Sequence, residues 1–205
     1  CSTTRKGRAM SEPVSVLEGA RAEPRPGLVI EDRGPVGMVT LKGDLTSDAI
    51  AASVDRIAGT AVPGPLSAVE GADGTRVVWM APDELLVLVG DYHAASAVEA
   101  GERRGLEGEH ALVLNVTGAR SVFRLSGPDV AETLAKGAPV DLSPGAFPVG
   151  HARRTHLSGL AVAFWRLGPQ EWEIVCARSY ARHLWDWLVA SGAPGAAVGA
   201  PRLFG

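Results

Sequence analysis

The chain has 205 residues, of which 46% are hydrophobic, and a net charge of −3. This length suffices for one large domain or two small ones, and the weak charge without long like-charged blocks argues against a nucleic-acid-binding protein. Two cysteines exclude a disulfide scaffold and indicate a reducing compartment. No apolar run reaches the roughly 20 residues that cross a bilayer. We therefore expect a cytoplasmic protein that contacts neither nucleic acid nor membrane.

The two ends of the chain differ in pattern from its middle. Residues 1–35 are interrupted by prolines and glycines and show no sustained periodicity, which predicts an extended N-terminal arm. Residues 192–205 are rich in Gly, Ala and Pro, which predicts a flexible C-terminal tail. Residues 36–191 are expected to form the folded body.

The first half of this body, residues 36–117, alternates between strand and helix patterns. Short apolar, β-rich runs predict four strands, at 36–41, 76–80, 84–89 and 111–116. Two helices are expected between them, one capped by Thr46 or Ser47 and running to about Ala58, the other beginning at Asp91 and running to about Arg104. The order β-α-β-β-α-β is that of a split βαβ, ferredoxin-like unit.

A second unit is predicted over residues 118–191. Its strands are expected at 120–125, 152–157, 160–167 and 171–177. One helix should follow Pro128 and end at Gly137, and the last should follow Ser179 as its cap. The junction at Thr117–Gly118 is too short to separate two domains freely. The fold class is therefore α+β, with two intertwined ferredoxin-like (split βαβ) units in one compact body.

The sequence carries no recognisable catalytic or cofactor motif. Glycine-rich phosphate loops are absent, and the histidines lack the spacing of a zinc site. Ser126 stands in LSGP rather than G-x-S-x-G and is expected to cap a helix. Cys176 lies in an apolar run and is expected to be a small buried residue, whereas Asp83 and Glu84 are expected to be solvated turn residues. We expect no catalytic, cofactor-binding or metal-binding residue in this chain.

The last helix offers a physical indication of a partner. Trp185 and Trp187 point to different sides, because two residues advance a helix by about 200°. Trp187 shares an apolar stripe with Tyr180 and Leu184 and is expected in the core. Trp185 is then expected at an interface, where tryptophan is an enriched anchor. Arginines that bind partner carboxylates are the other candidates for this interface, namely Arg153, Arg154, Arg178 and Arg182.

A series of short motifs occurs in a fixed order between about residues 36 and 192. The series runs through VTLKGDL (39–45), WMAPDELL (79–86), LSGP (125–128), LAKG (134–137), VDL (140–142), AFP (146–148), RSY (178–180) and LWDWL (184–188). Each motif alone is a fold signature, so the specificity lies in their order and spacing. In this respect the chain resembles the gamma subunit of bacterial heterotetrameric sarcosine oxidase.

This resemblance implies a fold like the folate-binding domain of the aminomethyltransferase (glycine-cleavage T-protein) class. It also implies a non-catalytic structural subunit of an oxidoreductase that acts on CH–NH groups and demethylates sarcosine to glycine. Alpha, beta and delta subunits would be its partners, with alpha as the direct contact, and they would hold FAD, FMN, NAD, tetrahydrofolate and zinc. Whether the chain itself counts as an enzyme stays open.

Two other functions fit the same fold. One alternative is a free-standing folate-binding or aminomethyltransferase-like protein. The other is an iron–sulfur assembly helper, whose signature is a Lys-Gly-Cys run. The chain has Ala138 after Lys136–Gly137, which counts against this helper.

Overall fold

A computed structural model describes residues 14–196 and shows two antiparallel β-sheets with helices packed on their outer faces. The strands are β1 (Arg21–Arg25), β2 (Leu28–Asp32), β3 (Gly37–Lys42), β4 (Ala68–Glu70), β5 (Arg76–Ala81), β6 (Glu84–Gly90), β7 (Leu112–Asn115), β8 (Arg120–Ser126), β9 (Ala152–Leu157), β10 (Leu160–Gly168) and β11 (Glu171–Ala177). The α-helices are α1 (Asp48–Ala58), α2 (Ala94–Gly105), α3 (Val130–Ala135) and α4 (Ala181–Gly192).

The smaller sheet has the strand order β4-β5-β6-β3-β7. Omitting the short edge strand β4, the order is that of a split βαβ unit, in which β3 and β5 are joined by α1 and separated by β6. Local sequence explains α1 well: the Ser47 hydroxyl accepts the Ile50 N–H, and Gly59 ends the helix in the left-handed conformation at φ 61°. The ferredoxin-like prediction for this unit is confirmed.

The larger sheet has the order β1-β2-β8-β11-β10-β9. Strands β8, β10, β11 and helices α3 and α4 supply most of a second split βαβ unit. Strand β2, which precedes the first unit in sequence, lies beside β8 where the fourth strand of that unit belongs. The two halves are therefore intertwined, as predicted, because the N-terminal hairpin completes the C-terminal unit.

This hairpin corrects the prediction of an extended arm over residues 1–35. Residues 21–32 form β1 and β2, and the side chains of Leu28 and Ile30 are fully buried. Pro24 and Pro26 concealed this hairpin in the sequence, but proline is tolerated on an edge strand such as β1, where no neighbour needs its N–H. Residues 1–13 and most of the predicted tail, 197–205, lie outside the described residues.

Three apolar clusters give a four-layer arrangement of helices, sheet, sheet and helices. The first lies between the larger sheet and α3 and α4, and includes Phe123 and Leu184. The second lies between the smaller sheet and α1 and α2, and includes Ile50. The third lies between the two sheets, where Met38 from one sheet meets Trp165 from the other. None of the helices in residues 14–196 is long and apolar enough to span a bilayer.

The two sheets are also hydrogen-bonded to each other at one corner. The Ala68 N–H donates to the Gly150 carbonyl and the Ala152 N–H donates to the Leu66 carbonyl, each at 2.8 Å. These bonds tie the edge of β4 to the edge of β9, so the layer between the sheets is closed along this corner.

Candidate partner-binding surface

The two tryptophans of α4 both pack against the core under that helix, and Trp185 is the more deeply buried of the two. Trp185 is only 8% exposed and its ring centroid lies 6.0 Å from that of Phe123 in the core under α4. Trp187 is half-buried and covers Gly137, where a Cβ would lie 2.6 Å from the indole Cζ2. The assignment of Trp185 to an interface is therefore wrong. The error came from Tyr180, which lies in a 3₁₀ turn before α4 and does not share the helix periodicity.

The structure does not bring the four predicted arginines together. Arg178 is exposed, and its Nη2 donates to the Val14 carbonyl at 2.7 Å. Arg182 is exposed on α4. Arg153 and Arg154 are neighbours on the edge strand β9, so they point to opposite faces of the larger sheet. Arg154 faces the smaller sheet and joins a charged cluster there. Contacts of the four arginines with a partner protein remain a prediction.

Glu173 forms a closed ionic cluster in the layer between the sheets. Its side chain is 3% exposed, and Oε2 accepts from Arg76 Nη1 at 2.7 Å and from Trp165 Nε1 at 3.1 Å. Arg33 Nε lies 3.7 Å from Oε1. We call Arg33, Arg76, Trp165 and Glu173 the Glu173 end. Because a buried carboxylate is stable only when it is paired, this cluster is a structural element.

Glu84 forms a second cluster at the other end of the same layer. It begins β6, whereas Arg76 lies opposite Leu88 near the far end of that strand. The Glu84 carboxylate lies 3.5 Å from Lys42 Nζ, 3.5 Å from Arg154 Nη1 and 3.8 Å from Arg120 Nη2. We call Lys42, Glu84, Arg120 and Arg154 the Glu84 end.

This cluster was missed by the sequence analysis. Glu84 was expected to be a solvated turn residue, but it is 8% exposed, because it is the first residue of a strand that faces the opposite sheet. Burial lowers the pKa of Arg120 below its ordinary value; the Glu84 carboxylate opposes this effect and the nearby Arg154 adds to it. The Arg120 guanidinium thus pays a desolvation cost that Glu84, at 3.8 Å, offsets only in part.

A cavity of about 310 Å³ opens beside the Glu84 end. Much of its wall is small and apolar, including Ala161 and Ala163 of β10 and Ala177 of β11, and its charged wall residues are Arg120 and Arg154. Along β10 the side chains at 161, 163 and 165 share one face, so the space that Trp165 fills at the Glu173 end is left open here by alanines.

Cys176 is a buried free cysteine. It is among the residues that line the cavity, but its side chain belongs to the apolar cluster under α3 and α4. Burial raises the pKa of its thiol to about 12, so the thiol is protonated at neutral pH and is a poor nucleophile. Within residues 14–196, no three His, Cys, Asp or Glu side chains are placed to hold a metal ion. The Glu84 end places cationic hydrogen-bond donors beside an apolar cavity. This arrangement is suited to binding a group that is part anionic and part apolar.

Comparison with known proteins identifies the family. The sarcosine oxidase, gamma subunit family matches this chain over residues 42–194. The sarcosine oxidase subunit gamma of Arthrobacter sp. is 36% identical over 157 residues, covering 75% of this chain and 73% of that protein. This chain belongs to the sarcosine oxidase gamma subunit family. The subunit gamma of Corynebacterium sp. (strain P-1) is 38% identical over 141 residues and covers 67% of each chain. The predicted resemblance is confirmed.

Solved structures agree with this family assignment. A chain of the heterotetrameric sarcosine oxidase from Corynebacterium sp. U-96, in complex with pyrrole 2-carboxylate, matches with a TM-score of 0.75 and 28% identity over 87% of this chain and 90% of that chain. The glycine cleavage system aminomethyltransferase T from Bartonella henselae matches with a TM-score of 0.60 and 15% identity over 81% of this chain and 46% of that chain. The second match shows the fold alone, and it confirms the predicted aminomethyltransferase-like fold.

Proposed function

We propose that this chain is the gamma subunit of a heterotetrameric sarcosine oxidase and that its role in that complex is structural. The observation that carries the proposal is the alignment with a chain of the Corynebacterium oxidase, which spans nearly the whole of both chains. The two curated subunit gamma proteins of similar sequence support the same assignment. The complex would oxidatively demethylate sarcosine to glycine.

In this proposal the chemistry belongs to the other subunits. FAD, FMN, NAD, tetrahydrofolate and zinc would be held by the alpha, beta and delta subunits. Alpha would be the subunit that gamma contacts directly, and the complex would be cytoplasmic. Two properties of the described residues support a role without catalysis. The Cys176 thiol is kept protonated by burial, and the most buried ionisable cluster, at the Glu173 end, is occupied in joining the two sheets.

Reconstitution tests this proposal. The full chain, tagged, is co-expressed with its three candidate partner subunits, and sarcosine-dependent hydrogen peroxide is measured for the complex, for the complex without this chain, and for this chain alone. We expect the complete complex to produce peroxide and the chain alone to produce none. When this chain is omitted, we expect a smaller amount of assembled complex. Peroxide production by the isolated chain would contradict a structural role.

A second measurement separates the proposal from a free-standing folate-binding protein of the same fold. Tetrahydrofolate is titrated into the isolated chain in a calorimeter, with an aminomethyltransferase T as the positive control. We expect no binding heat from this chain. Tight, saturable binding would favour the folate-binding alternative.

A further inference from the structure

The cavity at the Glu84 end carries positive charge that its own residues do not neutralise closely. Lys42, Arg120 and Arg154 all lie within 4 Å of the single Glu84 carboxylate, and none is closer than 3.5 Å. Asp83 is 3.7 Å from Lys42, so three cations share two carboxylates at this end. Both arginines are in the cavity wall, and that wall includes no acidic side chain. An anion in the cavity would therefore gain charge-assisted hydrogen bonds.

Exposed leucines lie on the same face of the smaller sheet. Leu112 is 46% exposed and Leu114 is 42% exposed, both on the edge strand β7. Leu112 lies opposite Lys42, and Lys42 lies opposite Glu84, so the three form a row across β7, β3 and β6. The two leucines are neighbours on this face, so an apolar side chain of a partner would bury both.

Thr40 adds a polar group to this face. It lies opposite Leu114, and its hydroxyl is buried without a hydrogen-bond partner among residues 14–196. A buried hydroxyl without a hydrogen-bond partner is costly, so the packing around Thr40 on this face of the sheet is imperfect.

Strand addition at the β7 edge is disfavoured by the chain itself. The Val113 carbonyl accepts a hydrogen bond from Arg103 Nε at 3.1 Å, so an edge group that another strand would need is occupied. A partner would therefore dock through side chains on the face of the sheet.

We propose that the cavity with Arg120 and Arg154, together with Leu112 and Leu114, is the surface on which another subunit of the oxidase places an acidic side chain. A glutamate fits this chemistry, because its methylene stem would lie on the alanines and its carboxylate would accept hydrogen bonds from the arginines. An adjacent apolar side chain of the partner covers the leucines. This inference rests on the proposed function, and it adds the location and the chemistry of the contact.

Matched variants in the co-expressed complex test this surface. Arg154→Glu reverses an exposed charge, Leu114→Asn removes the apolar contact, and Ala161→Leu fills the cavity without a charge change. The controls are Arg21→Glu, an exposed and ion-paired arginine on the far edge strand β1, and Val149→Asn, an exposed apolar residue beside the Glu173 end. The measurement is the dissociation constant for the other subunits, together with the thermal midpoint of each free variant.

We expect the three test variants to weaken assembly by about tenfold or more, while both controls assemble like the unmodified chain. Salt should weaken assembly of the unmodified chain more than that of Arg154→Gln, because only the former has the full charge contact. Test variants that keep the unmodified thermal midpoint and assemble normally would overturn the inference. Equal loss with the controls would also overturn it, since the effect would not be specific to this surface.

Two further outcomes have distinct meanings. If the unmodified chain does not assemble with the other subunits at all, the proposed function fails and this inference fails with it. A different result would show that the cavity binds a free carboxylate and that the assignment to a partner subunit is wrong. In that case the unmodified chain and Arg154→Glu both assemble normally, and hexanoate, but not hexanol, raises the thermal midpoint of the free unmodified chain.

Discussion

The Glu173 end and the Glu84 end are built from the same types of residue and differ in how closely those residues meet. Each places a buried glutamate among basic side chains between the two sheets. At the Glu173 end the hydrogen bonds are 2.7 and 3.1 Å and Trp165 fills the layer. At the Glu84 end the nearest cation is 3.5 Å away and alanines leave a cavity. A buried ion pair thus indicates a structural role only where its geometry is complete.

The corner that joins the sheets accounts for part of this difference. Ala68 and Gly150, which are hydrogen-bonded there, lie beside Arg76 and Trp165. Backbone hydrogen bonds hold the two sheets at a fixed separation at this corner, so the side chains of the Glu173 end can pack closely. Farther along the strands the layer ends without such a bond within residues 14–196, and the Glu84 end stays open.

Removing the glutamate at each end should give the largest contrast. Glu173→Ala removes the acceptor of the Trp165 Nε1–H and leaves Arg76, whose side chain is 14% exposed, with the exposed Glu70 as its remaining partner, and we expect a loss of about 3 kcal/mol in the free energy of unfolding. Glu84→Ala should cost about 1 kcal/mol or less, because the cations around it are partly solvated and only loosely held. Urea unfolding of both variants is the measurement. Equal losses would mean that the longer distances at the Glu84 end do not reduce the contribution of its ion pairs to the free energy of unfolding.

The indole hydrogen bond at the Glu173 end should contribute separately. Trp165→Phe keeps an aromatic ring but removes the Nε1–H donor, and we expect a loss of about 1.5–3 kcal/mol, as for a hydrogen bond to a buried charge. Trp79→Phe is the control, because Trp79 is half-buried on the helix side of the smaller sheet. A similar loss in both variants would assign the effect to ring size, and the closed geometry would then owe little to this bond.

Local patterns predicted most elements of the fold. The helix from Ser47 and the strands β10 and β11 were predicted within a few residues, because capping and hydrophobic alternation are local properties. Strand β4 was missed because it has only three residues, and the hairpin β1–β2 was missed because its prolines hid the alternation. That β2 completes the second unit depends on a contact with β8, far away in the sequence.

The candidate site was much less predictable. Arg76 and Glu173 are 97 residues apart, and Arg154 and Glu84 are 70 apart, so no local spacing connects them. One signal was present: Glu173 stands in a run that is otherwise apolar from Trp172 to Ala177, and a charge in such a run needs a buried partner. Of the predicted interface residues, Arg154 alone lies at the Glu84 end.

The titration of Cys176 reports how well the core between the larger sheet and helices α3 and α4 excludes water, because the thiol belongs to that apolar cluster. Burial raises the pKa of this thiol from 9.0 to about 12. Above pH 9 the unfolded chain therefore releases a proton that the folded chain retains, and stability should fall by at most about 1.4 kcal/mol per pH unit, whereas below pH 9 this contribution is constant. Cys176→Ala should remove that part of the slope when unfolding is measured between pH 8 and pH 10. Equal slopes would mean that the thiol is solvated and that this core admits water.

Exposed charge at the Glu84 end should contribute least to stability. Arg154 is 56% exposed and lies 3.5 Å from Glu84, so Arg154→Gln should change the free energy of unfolding by less than about 0.5 kcal/mol. Arg76→Gln, at the other end, is the positive control and should cost several times more, because it leaves the buried Glu173 carboxylate with Arg33, at 3.7 Å, as its remaining cation. Urea unfolding compares the two variants at the same pH and salt. A large loss in Arg154→Gln would show that the Glu84 cluster already holds the fold together, and the loose distances there would then no longer distinguish a surface for a partner from a structural ion pair.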